Sequence, residues 1–305
     1  MGKKRILQER VVVNRAAGAR RAAASSRIAF QGERGAFSEQ AVHQLLGARW
    51  SLLPCRSFEE MFEAVVRGRA LACVVPIENT LAGSIHKNFD LLLRHQLQIL
   101  AETNVRIEHH LIALPETRLN DIREITSHPA ALDQCQAFLR RHPRWEVVTG
   151  YDTAGSVKSL VQQHLSKSAA IAGSLAARFY KCKILRKNIE DHRQNFTRFW
   201  LLSKSPREQL PMTLRKELGG TRNKTSIVFS TKSIPGALFK CLSVFALRDI
   251  NLSKIESRPL VGRPFEYLFY VDFLGNIDEK RCQNALRHLG EITDFLRVLG
   301  CYREG

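Results

Sequence analysis

What this 305-residue sequence lacks narrows the field first. No uncharged run approaches the ~18 apolar residues of a membrane span; the best, Ser168 to Ala177, is short and alanine-rich. The seven cysteines (Cys55, Cys73, Cys135, Cys182, Cys241, Cys282, Cys301) include no CxxC pair. An odd, scattered set predicts buried free thiols in a reducing compartment rather than a disulfide framework. The ten histidines contain no HExxH, no GxSxG occurs, and Gly32-Glu33-Arg34-Gly35 is not GxGxxG. Zinc-protease, serine-hydrolase and dinucleotide readings therefore each fail at the first step. His109 and His110 are adjacent on a predicted strand and point to opposite faces, which favours a structural role over a metal site. A soluble intracellular protein of about two domains is expected.

What is there begins with charge. The net +18 is uneven: eight Lys/Arg and one acid (Glu9) fall within residues 1–27. This Arg- and Ala-rich, acid-poor leader (1–26) reads as an organelle transit peptide or as a disordered basic tail. A nucleic-acid arm is disfavoured, because no aromatic residues interleave the bases for stacking. The moderate positive field of the remainder suits capture of small anions.

From Ile28 to about residue 205, β-rich runs alternate with helical patterns, predicting a mostly parallel α/β domain. Ile28–Phe30 reads as a strand and Phe37–Leu46 as a helix. Ser57-x-x-Glu60 reads as a capping box ahead of Phe58, Met61, Phe62 and Val65. Strands are expected over 72–77, 105–114, 122–127 and 146–149, and a helix over 130–140. Lys204 to Asn223, with Pro206, Pro211, Gly219 and Gly220, reads as a linker. Residues 224–305 then give strand, helix, two strands, helix, strand: a ferredoxin-like βαββαβ unit.

Four small-polar turns each separate a predicted strand from a helix: Gly32–Ser38, Glu78–Ser84, Ser127–Pro129 and Asp152–Ser156. Each alone is an ordinary helix cap. Four together at strand ends, with Asn195-Phe196-Thr197-Arg198-Phe199, predict a cleft for a small carboxylate, where free backbone N–H groups and short polar side chains gather. Arg198 is a candidate to fork a carboxylate.

These residues carry a family resemblance. Gly32-x-x-Gly35-Ala36-Phe37-Ser38, Pro76 to Ser84, Ser127-His128-Pro129, Asp152 to Gly155 and Thr197-Arg198-Phe199 resemble prephenate and arogenate dehydratases. Gly236-Ala237-Leu238-Phe239 and Glu256-Ser257-Arg258-Pro259 resemble an ACT domain. The likeness covers roughly 28–302, and the stretches 83–95, 245–259 and 295–302 look most like the plant plastid enzymes.

The resemblance implies a two-lobed catalytic domain (27–205) of the type-2 periplasmic-binding-protein kind, a linker (206–223) and an ACT domain (224–305). It implies loss of CO₂ and hydroxyl from arogenate or prephenate, driven by aromatisation, with no metal and no cofactor. Thr197 would protonate the departing hydroxyl, and Ser38, Glu78, Asn79, Ser84, Thr153, Arg198 and Phe199 would bind substrate. Gly236, Ala237, Leu238, Phe239, Asn251, Glu256, Ser257 and Arg258 would bind L-phenylalanine as feedback effector in a homodimer or homotetramer, in the plastid stroma, or in the cytoplasm if the leader is not a transit peptide. Thr80 stands where the family usually has serine, and the connection Leu260 to Phe265 is short. A non-catalytic amino-acid sensor is the alternative; a membrane or nucleic-acid partner is not expected.

Overall fold

The computed structural model describes residues 27–231, 234–260 and 265–305. The predicted leader and most of the Leu260–Phe265 connection lie outside them. The chain divides into two compact units, residues up to Leu91 with Asn104–Phe199, and Leu92–Thr103 with Trp200–Gly305.

Residues 27–203 form two sheets. One has the order β2-β1-β3-β11-β5, with β4 on β3. Its strands are β1 (Arg27–Gln31), β2 (Ser51–Cys55), β3 (Ala72–Asn79), β4 (Gly83–Ser84), β5 (Gln98–Arg106) and β11 (Phe196–Ser203). The other has the order β10-β6-β9-β7-β8. It uses β6 (His110–Ala113), β7 (Glu124–Ser127), β8 (Glu146–Thr149), β9 (Ser168–Ala172) and β10 (Lys183–Arg186). The chain crosses between the sheets twice, after β5 and before β11. Pairings of β1 with β2 and β3, and of β7 with β8 and β9, are parallel. Those of β4, β6 and β10 are antiparallel, so both sheets combine parallel and antiparallel pairs.

Helices α1 (Phe37–Leu46), α2 (Phe58–Val66) and α3 (His86–His95) accompany the first sheet. Ser57 caps α2 by accepting the Glu60 N–H at 3.2 Å, a contact worth about 1 kcal/mol. The reciprocal arm differs from the expected box, because the Glu60 carboxylate takes the N–H of Arg56 instead. The second sheet carries α4 (Pro129–Asp133), α5 (Gln136–Arg140), α6 (Thr153–Gln162) and α7 (Ser174–Phe179). Its core packs Leu111, Ile122, Ile125, Leu132 and Ile171.

Two expected elements are each split, for reasons lying far along the chain. The single strand over 105–114 is β5 and β6, because Ile107 donates its N–H to Asn195 O at 2.8 Å and His109 donates to Glu190 at 2.9 Å. The helix over 130–140 is α4 and α5. Asp191 N–H takes the Gln134 carbonyl, and the Asp191 carboxylate takes the Ala137 N–H, replacing the helix's own bonds at the break.

In the second unit the expected linker is structured. Pro206 and Pro211 open a 3₁₀ turn (Arg207–Gln209) and helix α8 (Met212–Glu217), a position proline favours. Leu210, Leu214 and Leu218 are buried. Then come β12 (Lys224–Thr231), α9 (Ala237–Ala246), β13 (Leu252–Pro259), β14 (Tyr267–Leu274), α10 (Lys280–Ile292) and β15 (Thr293–Tyr302). They form an antiparallel sheet of order β13-β14-β12-β15 whose core packs Ile227, Phe229, Phe245, Phe273 and Leu289. A buried ion pair, Lys224 to Glu102 at 2.8 Å, lies in this unit, and a Cβ on Gly300 would stand 2.2 Å from Ile99 O.

Candidate active site

The end of β3 is shaped by one side chain. Asn79 Oδ1 accepts the N–H groups of Leu81 and Ala82 at 3.0 and 2.9 Å, which bends the chain into β4. Backbone N–H can only donate, so the amide orientation is fixed and Nδ2 faces the start of β11. There it donates to Thr197 Oγ1 at 3.0 Å and Asn195 Oδ1 at 2.7 Å, with Phe196 O at 3.2 Å. Thr80 adds two bonds to the same segment, donating to Gln194 O and accepting the Phe196 N–H. Its hydroxyl alone makes both, so the threonine keeps what a serine would supply.

Thr197 is 8% exposed. Its oxygen accepts from Asn79, which leaves its own hydrogen available and polarises the O–H for donation. Behind it the polar chain continues inward. Asn195 Nδ2 donates to Gln134 Oε1 at 2.8 Å, and His109 Nε2 lies 2.9 Å from the same oxygen. Burial holds the His109 pKa below the ordinary histidine value, so the ring is neutral at neutral pH. The Phe37 ring meets it edge-on at 5.6 Å. Gln134 was invisible in the sequence, since only the break between α4 and α5 delivers it here.

Arg198 does not stand open for a ligand carboxylate. Its Nη2 donates to Glu78 Oε2 at 2.8 Å, so Glu78, expected to bind substrate, is the counter-ion of Arg198. Ser84 pairs opposite Glu78 in the β3–β4 hairpin, so Glu78, Asn79, Ser84, Thr197 and Arg198 come together. Phe199 is 2% exposed and belongs to the interior. Ser127 Oγ donates to Ile171 O at 2.6 Å, a structural bond within the second sheet.

Ser38 lies buried in the first turn of α1, and Thr153 opens α6. Their two turns meet, but as a clasp between the lobes. Asp152 caps α6 through Gly155 N–H at 2.7 Å, and a Cβ on Gly32 would stand 3.0 Å from its Oδ2. Glu33 Oε1 accepts from Tyr151 OH at 3.0 Å and Lys158 Nζ at 2.9 Å. Arg34 pairs with Glu39 and lies 4.5 Å above the Phe179 ring. Gly35 (φ +89°) is pressed so closely on Ala176 that a Cβ would sit 2.5 Å from its Cα. In the turn that reads as an anion cradle, Glu33 thus spends its charge on the opposite lobe, and Arg34 is shared between Glu39 of its own lobe and the Phe179 ring. A cavity of about 610 Å³ remains beside it, lined by Gln31, Glu33, Arg56, Tyr151, Asp152 and Lys158.

Of the expected effector residues, Gly236 (φ 75°), Ala237, Leu238 and Phe239 line a groove of about 500 Å³ at the start of α9, with Tyr267 and Phe269. Asn251, Glu256, Ser257 and Arg258 do not line it. Asn251 O accepts the Leu274 N–H, and Glu256, on the edge strand β13, faces Lys254 at 3.5 Å.

The profile of the family described as prephenate dehydratase matches residues 28–207. The chain belongs to the prephenate dehydratase family. It is 45% identical over 285 residues to arogenate dehydratase/prephenate dehydratase 2, chloroplastic, of Arabidopsis thaliana, covering 90% of this chain and 72% of that one. The structure of a prephenate dehydratase from Arthrobacter aurescens in complex with L-Phe matches with a TM-score of 0.80 at 34% identity, over 91% of this chain and 90% of that one. That of GqqA, described as a quorum-quenching acylase, also matches at 0.80, with 33% identity over 92% and 98%. Membership in this family makes the chain a hydro-lyase. Among the described residues no helix is long and apolar enough to cross a membrane.

Proposed function

We propose that this chain is an arogenate dehydratase that also accepts prephenate, producing phenylalanine from the first and phenylpyruvate from the second. The observation that carries the reading is the Asn79–Thr197 hydrogen bond, which leaves one hydroxyl hydrogen to give. In the reaction the ring carboxylate leaves as CO₂ and its bonding electrons enter the ring. The C–O bond at the opposite ring carbon breaks, and its oxygen leaves as water after taking a proton through Thr197, which solvent then replaces. Aromatisation drives both cleavages, so the protein's part is to orient the carboxylates and supply that proton. Arg198, screened by Glu78, supplies positive potential without a bare buried charge.

Residues 27–205 are read as the catalytic domain and 224–305 as an ACT domain. L-phenylalanine is the proposed effector, seated in the Gly236–Phe239 groove. Glu256–Arg258 would reach such a ligand from a second copy, which is why a homodimer or homotetramer is proposed. The relatives named chloroplastic support a plastid location. Arogenate as the better substrate rests on the plant-like stretches and on the arogenate names of the relatives.

Product analysis after separate incubation with arogenate and prephenate tests the reading. Phenylalanine from arogenate as the faster reaction supports it; phenylpyruvate as the faster product makes the enzyme chiefly a prephenate dehydratase. No aromatic product from either leaves the amino-acid sensor.

A further inference from the structure

The hydrogen-bond chain behind Thr197 has a direction that can be deduced from its one unalterable end. The Leu81 and Ala82 N–H groups oblige Asn79 to turn Oδ1 towards them and Nδ2 towards Thr197 and Asn195. Asn195 must then offer Oδ1 to Asn79, which leaves its Nδ2 for Gln134. Gln134 must offer Oε1, and His109 Nε2 approaches that same oxygen at 2.9 Å. The Nε2 nitrogen therefore carries the hydrogen, and the chain ends on the neutral Nε2–H tautomer of histidine.

His109 is built in rather than loosely placed. It is 2% exposed, its main-chain N–H is held by Glu190 Oε2 at 2.9 Å, and the Phe37 ring blocks its edge. Among the described residues its Nδ1 is buried without a partner, as is Glu190 Oε1, a cost that a purely structural histidine would not need. Gln134 Oε1 sits in a fork of two donors, Asn195 Nδ2 and His109 Nε2, and the fork fixes where the Asn195 amide lies.

We infer that His109 is a positioning residue for the dehydration: its Nε2–H locks Gln134, and through Asn195 and Asn79 it holds the Thr197 hydroxyl in its donating orientation. The inference rests on the reading of Thr197 as the proton donor. Without His109, Gln134 can rotate and Asn195 loses its anchor. Asn195 Oδ1 is then free to swing away from Asn79 Nδ2, the balance among the three acceptors that Nδ2 serves is upset, and the Thr197 hydrogen is no longer aimed. This acts on the bond-breaking step and leaves substrate affinity alone.

The test compares wild type, His109→Leu, His109→Gln and His109→Asn in the full chain, with folding checked by circular dichroism. A glutamine amide reaches the Nε2 position and donates there, whereas an asparagine amide reaches only the Nδ1 position. Loss of one net hydrogen bond predicts a fall of about tenfold in kcat for the Leu and Asn variants, with KM unchanged and Gln restoring most of the rate. Should the Leu variant fail to fold, the Gln–Asn comparison carries the result. Equal kcat in Gln and Asn variants, or a rise in KM at constant kcat, overturns the inference. Absence of aromatic product from wild type, or full activity of Thr197→Val, instead overturns the reading beneath it.

Discussion

Asn79 donates to Thr197 across 118 residues of chain, at 3.0 Å, while its other amide atom is committed to the turn that brings it there. Turn and site are thus one construction, and they can be separated by chemistry. Asn79→Asp keeps an acceptor for the Leu81 and Ala82 N–H groups but removes the donor. The expected outcome is a protein that melts within a few degrees of wild type and has lost roughly 10²-fold in kcat, measured by product formation. Asn79→Ala should lose activity and stability together.

Arg198 and Glu78 form a pair in which the arginine side chain is 12% exposed and the glutamate 36%. Removing Arg198 leaves a carboxylate facing an anionic substrate. Arg198→Leu is therefore expected to raise KM more than Arg198→Leu combined with Glu78→Gln. A double-mutant cycle on kcat/KM should return a coupling of about 1 kcal/mol; additive effects would refute the pairing.

Burial raises the pKa of Asp152, the nearby Glu33 carboxylate raises it further, and the Gly155 and Glu33 N–H groups pull it back. The folded value lies above the unfolded one. The stability Asp152 contributes is thus present below the unfolded pKa and lost as pH rises through the folded value. Asp152→Asn keeps the cap acceptor without the charge. Thermal melts should show its Tm advantage over wild type growing between about pH 4 and pH 7; a constant or shrinking difference would contradict this.

Gly35→Ala places a methyl against Ala176 at a backbone φ of +89°. Both the clash and the left-handed backbone act against it. The expected cost is about 1–3 kcal/mol in denaturant unfolding, with looser closure of the lobes and a raised KM.

Much of this was legible in the sequence wherever the cause is local. The Ser57 and Asp152 caps, the apolar face of α2 and the order of elements over 224–305 are short-range signals, and they appear as read. The failures share one physical origin. The split of 105–114 depends on Asn195 and Glu190, and the break at Gln134 depends on Asp191, all more than fifty residues away. Pro206 and Pro211 read as linker residues because proline opens a helix as readily as it interrupts one. Motifs located the Thr197 neighbourhood but not its wiring. Glu78 reads as a substrate-binding residue, and only its tertiary pairing with Arg198 shows its charge engaged.

The central claim is that the Thr197 hydroxyl delivers the proton to the leaving group. Thr197→Val removes that hydroxyl at nearly constant shape. Aromatic product formation from arogenate should fall about 10²–10⁴-fold in kcat while the variant still binds substrate and melts as wild type does. An active Thr197→Val enzyme would contradict the account.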